Sequence, residues 1–246
     1  MADTYQLEYE GAALVSIATA PSHVLVFDAT IFHPKGGGQP SDKGVIVING
    51  KHEFTVDAVL ATVAGVIEHI VTPLDVSCKE QIQSIDPSTA TVRMRVDEEL
   101  RMKHAALHSG GHALDAALLR IDPLYSMRLK ATKGYHFLDG PNVEYDLING
   151  AKLSPEELSS LPGRLNDSLR DIVEEDITTV VSTVSKVALG ADLIHYPDYV
   201  RVVTVAGFAI PCGGTHVKST RELGCLQVKK AKVKKGVLKI SYDFVT

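Results

Sequence analysis

The chain has 246 residues, 45% hydrophobic and 22% charged, proportions that suit a soluble globular protein and exclude a disordered or fibrous one. No apolar run approaches the length of a membrane span. The apolar stretch 11–20 follows Asp3, Glu8 and Glu10 with no Lys or Arg, the wrong sign for a secretory signal. The net charge of -5 argues against nucleic acid, but residues 218–239 carry eight basic side chains and one acid, so +7 there stands against -12 in the rest.

Residues 1–88 read as a β-rich unit. Short apolar or alternating runs at 24–27, 44–48, 54–56 and 66–71 are separated by turn residues, and Asn49-Gly50 is a two-residue hairpin signal. The pattern predicts a small β-barrel, with 85–88 as a linker. Residues 89–246 then predict an α+β domain. It begins with an alternating strand at 91–96 and a helix over 97–120, with Leu100, Leu107, Leu114 and Leu118 at helical spacing. Strands follow around 127–129, 135–138 and 143–147. Ser154-Pro155-Glu156-Glu157 opens a second helix with a capping box, and Leu165, Leu169, Ile172 and Val173 form its apolar stripe. Strands at 177–184 and 200–205 precede a closing hairpin, 225–244, that turns near Lys235-Gly236.

Two motifs carry the chemistry. His108 and His112 stand four residues apart on the first helix, so both rings share a face. Cys212 and His216 flank Gly213-Gly214-Thr215 in a turn after the 200–206 strand. Three imidazoles and a thiolate suit tetrahedral Zn2+, with the site set between the helix and a strand-end turn. The three cysteines, Cys78, Cys212 and Cys225, form no disulfide framework; Cys78 and Cys225 read as ordinary thiols, and a reducing, cytoplasmic compartment is expected.

Residues 36–39, Gly-Gly-Gly-Gln, lack the Gly-Lys-Ser/Thr ending of a phosphate loop, and composition alone reads them as a flexible connection. Their order with the other motifs is more telling. GGGQPSD, then HSGGH, then CGGTHV resembles the editing domain of alanyl-tRNA synthetases, and still more the free-standing AlaX-type editing proteins with an extra N-terminal domain. The resemblance covers nearly the whole chain. It departs from the family at Gly110-Gly111, where residues such as alanine are common, at His33, where Tyr is frequent, and at Ala209-Ile210, where a polar residue is common.

The resemblance implies a trans-editing hydrolase that deacylates tRNA(Ala) wrongly carrying serine, or glycine, with zinc held by His108, His112, Cys212 and His216. A synthetase pocket that accepts alanine rejects neither serine nor glycine strongly, so a second hydrolytic site is useful. Ser109 or Thr215 is the candidate partner for the serine hydroxyl, and His104 a candidate base or packed histidine. Gly36, Gly37, Gly38 and Gln39 are assigned to substrate, and Lys229, Lys230, Lys232, Lys234 and Lys235 to the tRNA backbone, with a monomer expected. Lysines that protect a hairpin edge are an equally good reading of that strip. A non-catalytic, zinc-stabilised RNA-binding module is the alternative, and a zinc hydrolase of small esters a third reading.

Overall fold

A computed structural model of the chain describes residues 3–20, 22–75, 81–189 and 198–245; Cys78 lies outside them. The chain forms two compact units, 1–104 and 105–246. The expected division at 88/89 sits elsewhere because the strand after it, Val92–Val96, pairs backwards into the first unit. Alternation announces a strand but not its partner.

The first unit is one antiparallel sheet of β1 (Glu8–Glu10), β2 (Leu14–Ala18), β3 (His23–Phe27), β4 (Gly44–Ile48), β5 (His52–Ala61), β6 (Ile67–Pro73) and β7 (Val92–Val96). The order is β1-β7-β4-β5-β6-β3-β2. No ladder joins β1 to β2 among the described residues, so the expected barrel is an open, curled half-barrel. A period-two pattern marks a sheet with one buried face; closure depends on edge strands, and β1 has only three residues. Leu25, Ile46, Phe54 and Met94 fill the buried face. The Asn49-Gly50 turn forms as expected, with both residues at positive φ.

Helix α1 (Glu98–Ile121) begins where the Asp97 side chain accepts from the Leu100 N–H at 3.0 Å. Leu107, Ala113, Leu114, Ala117 and Leu118 put its apolar face into the core of the second unit. Tyr125–Arg128 is a helical turn, α2, where a strand was expected, and β8 (Leu129–Tyr135) follows it. The strand expected to run to Leu138 ends at Tyr135, where His136 turns inward. Helix α3 (Pro155–Glu174) has both halves of the capping box: Glu157 N–H to Ser154 Oγ at 3.1 Å and Ser154 N–H to Glu157 Oε2 at 2.7 Å. It runs through Pro162 because Leu161, Leu165, Leu169 and Ile172 are all buried on one face.

The remaining strands are β9 (Asn142–Leu147), β10 (Val180–Ser185), β11 (Tyr199–Val205), β12 (Phe208–Pro211), β13 (Leu226–Lys234) and β14 (Val237–Phe244). They form sheets β10-β11-β12 and β13-β14-β9-β8, and the protein is α+β as expected. Asn166 of α3 pairs its amide with both the N–H and the C=O of Val228, covering part of the β13 edge.

Candidate metal centre

α1 supplies two donors and the end of β12 supplies the other two. His108 and His112 lie one turn apart, ring centroids 5.1 Å apart. β12 continues its ladder for one residue, with Cys212 N–H donating to the Arg201 carbonyl at 3.1 Å. Pro211 is tolerated there because the strand is at a sheet edge. The turn through Gly213-Gly214 then brings His216 back, its ring 4.6 Å from His108 and 5.0 Å from His112.

The donor atoms of His108, His112, Cys212 and His216 all lie within 4.8 Å of one another. Cys212 Sγ is 3.4 Å from His108 Nε2 and 3.3 Å from His216 Nε2. The edges of a tetrahedron with ordinary zinc–nitrogen and zinc–sulfur bonds are roughly 3.3–3.6 Å, so those two edges are already of the right length. His112 Nε2 is buried and has no hydrogen-bond partner. An orphaned imidazole nitrogen facing a thiol and two further imidazoles fits a cation better than it fits a dry core. Burial pushes the His112 pKa down to about 4, which keeps the ring neutral and its lone pair free. Burial pushes the Cys212 thiol up, while the Gly214 N–H on sulfur at 3.5 Å and the Arg201 guanidinium pull it back. Arg201 also donates to the Cys212 carbonyl at 2.6 Å, which anchors the turn.

Ser109 and Thr215 are fully buried. Ser109 Oγ accepts from the Val217 N–H at 3.1 Å and lies 3.1 Å from His216 Nδ1. With His216 Nε2 turned to the donor cluster, Nδ1 carries the proton and donates to Ser109. Ser109 therefore orients the His216 ring. His104 belongs to the first unit; burial lowers its pKa, and Asp42 and Asp97 oppose that shift. Its Nδ1 is buried without a hydrogen-bond partner.

Gly36–Gln39 also belongs to the first unit and forms a tight turn instead of a flexible connection. Gly36 and Gln39 exchange N–H···O bonds of 3.1 and 2.9 Å, and Gly37 and Gly38 take positive φ. Gly36 and Gly37 are exposed and Gln39 is buried. Nearby, Asp42 of the same motif receives Arg101 Nε at 2.8 Å and Nη2 at 2.5 Å, both side chains fully buried. The sequence reading missed that pair, since nothing local marks it. Lys229, Lys230, Lys232, Lys234 and Lys235 are all exposed. A bulge after Val228 sets Lys230, Lys232 and Lys234 on one face of β13, with Lys239 opposite Lys232.

The sequence reading also missed His136, which is buried against His108 with ring centroids 4.6 Å apart. Burial, with His112 second, lowers its pKa to about 3. A signal was present: Gly110-Gly111 stand in the middle of a long helix, where each costs about 1 kcal/mol relative to alanine. A Cβ at Gly111 would stand 2.5 Å from His136 Cε1, and one at Gly110 would stand 3.0 Å from Leu226.

Residues 200–240 match the "Threonyl and Alanyl tRNA synthetase second additional domain". The chain is 30% identical over 226 residues to an alanine–tRNA ligase of Pseudothermotoga lettingae, covering 90% of this chain and 25% of the ligase. It is 28% identical over 235 residues to the alanyl-tRNA editing protein AlaX-L of Pyrococcus horikoshii, covering 92% of this chain and 52% of that protein. An alanine–tRNA ligase of Methanobrevibacter smithii is 28% identical over 98% of this chain and 26% of its own. The chain thus spans about a quarter of the ligases and about half of AlaX-L. The resemblance read from the motifs holds: the chain is a homologue, over most of its length, of alanyl-tRNA synthetases and of an alanyl-tRNA editing protein.

Proposed function

We propose that this protein is a deacylase of mischarged tRNA(Ala), acting first on the seryl ester and second on the glycyl ester, with zinc held by His108, His112, Cys212 and His216. The observation that carries the reading is the convergence of those four donors within 4.8 Å in a homologue of editing proteins. When bound, zinc supplies Lewis acidity or a fixed point for the substrate. The chain's own residues do the rest. Ser109 and Arg201 hold His216 and the Cys212 turn in place. The buried walls of the cluster exclude bulk water and keep His112 neutral. No Gly-x-Ser-x-Gly nucleophile elbow occurs in the sequence, so water is the nucleophile.

The exposed lysines of β13 and the β13–β14 turn engage the tRNA backbone, and the Gly36–Gln39 turn takes part in substrate contact, with a cytoplasmic monomer as the working form. The alternative, a zinc-stabilised binding module without turnover, is favoured by one observation: four protein donors are the complement of a closed, structural site. Zinc analysis of the purified protein, with deacylation of Ser-tRNA(Ala) and Ala-tRNA(Ala) by wild type and Cys212→Ala, separates the readings. One bound zinc, fast serine loss, slow alanine loss and an inactive variant support the deacylase. Bound zinc and retained tRNA without turnover support the module.

A further inference from the structure

The unit 105–246 has a cavity of about 120 Å³ between α1, α2, β8, β9 and the start of β12. None of the four metal donors lines it. Its lining is mostly apolar, with Leu118, Tyr125, Leu129, Tyr145 and Phe208 around one carboxyl-bearing residue, Asp115.

The Asp115 carboxyl group is half satisfied. Tyr145 O–H donates to its Oδ1 at 2.8 Å. Tyr242, the other buried phenol that feels its charge, gives its one proton to the Leu107 carbonyl at 2.9 Å. Oδ2 accepts from no described residue, and it is not among the fully enclosed unpaired atoms. Its lone pairs therefore open on the space that Asp115 lines. Arg128, whose guanidinium lies 5.8 Å from the Tyr125 ring centre, is taken by Glu157 at 2.9 Å. Burial raises the Asp115 pKa to about 7. A carboxylate in apolar surroundings is costly to ionise alone, and a cation at Oδ2 lowers that cost.

The shape and the donor set choose among cations. A hard metal ion needs about six oxygen ligands, and the cavity offers one free carboxylate oxygen. A guanidinium pairs best with both carboxylate oxygens, and Tyr145 holds one of them. A primary ammonium needs one strong acceptor, and its chain suits the leucines while the aromatic faces attract its charge. We propose that this cavity binds a primary alkylammonium group of about four carbons, which donates to Asp115 Oδ2 and lays its chain against Leu118 and Leu129. The site is separate from the metal cluster and does not rest on the deacylase reading.

The test titrates the zinc-loaded full chain with n-butylammonium chloride at fixed ionic strength and about pH 8, where Asp115 is ionised. 1-Butanol serves as a neutral body of the same size, and tetramethylammonium as a cation without N–H donors. Methyl NMR shifts of Leu118 and Leu129 report occupancy, and zinc content and thermal midpoint are measured for each protein. Wild type is expected to bind butylammonium with a Kd of about 1 mM, and the other two at least about tenfold more weakly. Asp115→Asn keeps the shape and the Tyr145 contact without the charge, and should weaken butylammonium about tenfold. Ala131→Phe puts a ring at an exposed part of the lining and should abolish the shifts; it carries the test if Asp115→Asn does not fold. Equal affinity for butanol and butylammonium overturns the proposal. So does butylammonium binding that survives either variant, or that never saturates and so reports only screening of surface acids.

Discussion

Removing the Arg101 guanidinium should unfold the first unit far more readily than its single-residue scale suggests. Arg101 is wholly buried and makes five hydrogen bonds: two to the Asp42 carboxylate, and others to the carbonyls of Asp3 at 2.6 Å, Thr4 at 3.3 Å and Ile31 at 2.7 Å. It thereby ties the N-terminal segment to the stretch that follows β3 and to Asp42, which also accepts from the His33 N–H. In Arg101→Met the Asp42 carboxylate remains buried with its cation gone, and three carbonyls lose a donor. Breaking a buried pair in this way costs about 3–5 kcal/mol. For a unit of 104 residues that is a fall in midpoint of ~15 °C or more. The assay is thermal and urea denaturation of the full chain, with wild type and Arg101→Met compared beside the double variant Arg101→Met/Asp42→Leu. The double variant should recover more than half of the loss, because no charge is then left without a partner. A loss below about 1 kcal/mol in the single variant, or a double variant no better than the single, would refute the reasoning.

Three further outcomes follow from the same physics. His69 is buried, with Nδ1 on the Leu25 carbonyl at 3.1 Å and Nε2 on Thr30 Oγ1 at 2.8 Å, and burial lowers its pKa from 6.5 to about 4. The unfolded chain binds this proton more readily, so the stability is complete above pH 6.5 and falls by roughly 3 kcal/mol as pH drops to about 4. Denaturation midpoints across that range should show the slope in wild type and lose part of it in His69→Gln. Gly111→Ala gains about 1 kcal/mol of helix propensity yet should destabilise the protein, since its methyl would press on His136 at 2.5 Å; a more stable variant by urea titration would show that His136 has room to spare. Replacing Lys230, Lys232 and Lys234 together by alanine should weaken tRNA binding and lower the slope of log K against log salt by about two to three. An unchanged slope would return these lysines to their role as an exposed sheet edge.

Much of the local structure was legible from local chemistry. Leu107, Leu114 and Leu118 at helical spacing announce α1, Ser154 and Glu157 announce the start of α3, and Asn49-Gly50 and Lys235-Gly236 mark their hairpin turns through positive φ. What misled was extended chain whose partner is distant. Val92–Val96 reads as the opening of the second unit but pairs with β1 and β4 of the first. His136 reads as part of a strand because Tyr135, Phe137 and Leu138 suit one, although the ring must leave the sheet to reach Tyr242. The pair Arg101–Asp42 is 59 residues apart, and no spacing rule connects a helix residue with a loop carboxylate.

The sequence by itself determined the donor chemistry. Two pairs spaced four apart, one on a helix and one across a glycine turn, name the four side chains that the structure gathers within 4.8 Å. The helix pitch and the turn geometry are local properties, so each pair is specified before the chain folds. Only the tertiary structure decided that the two pairs face each other, that Ser109 is spent on orienting His216, and that a fourth imidazole, His136, stands beside them. Those contacts join residues from 28 to more than 100 positions apart, and they depend on how buried surfaces fill space together, a property that no window of the chain contains.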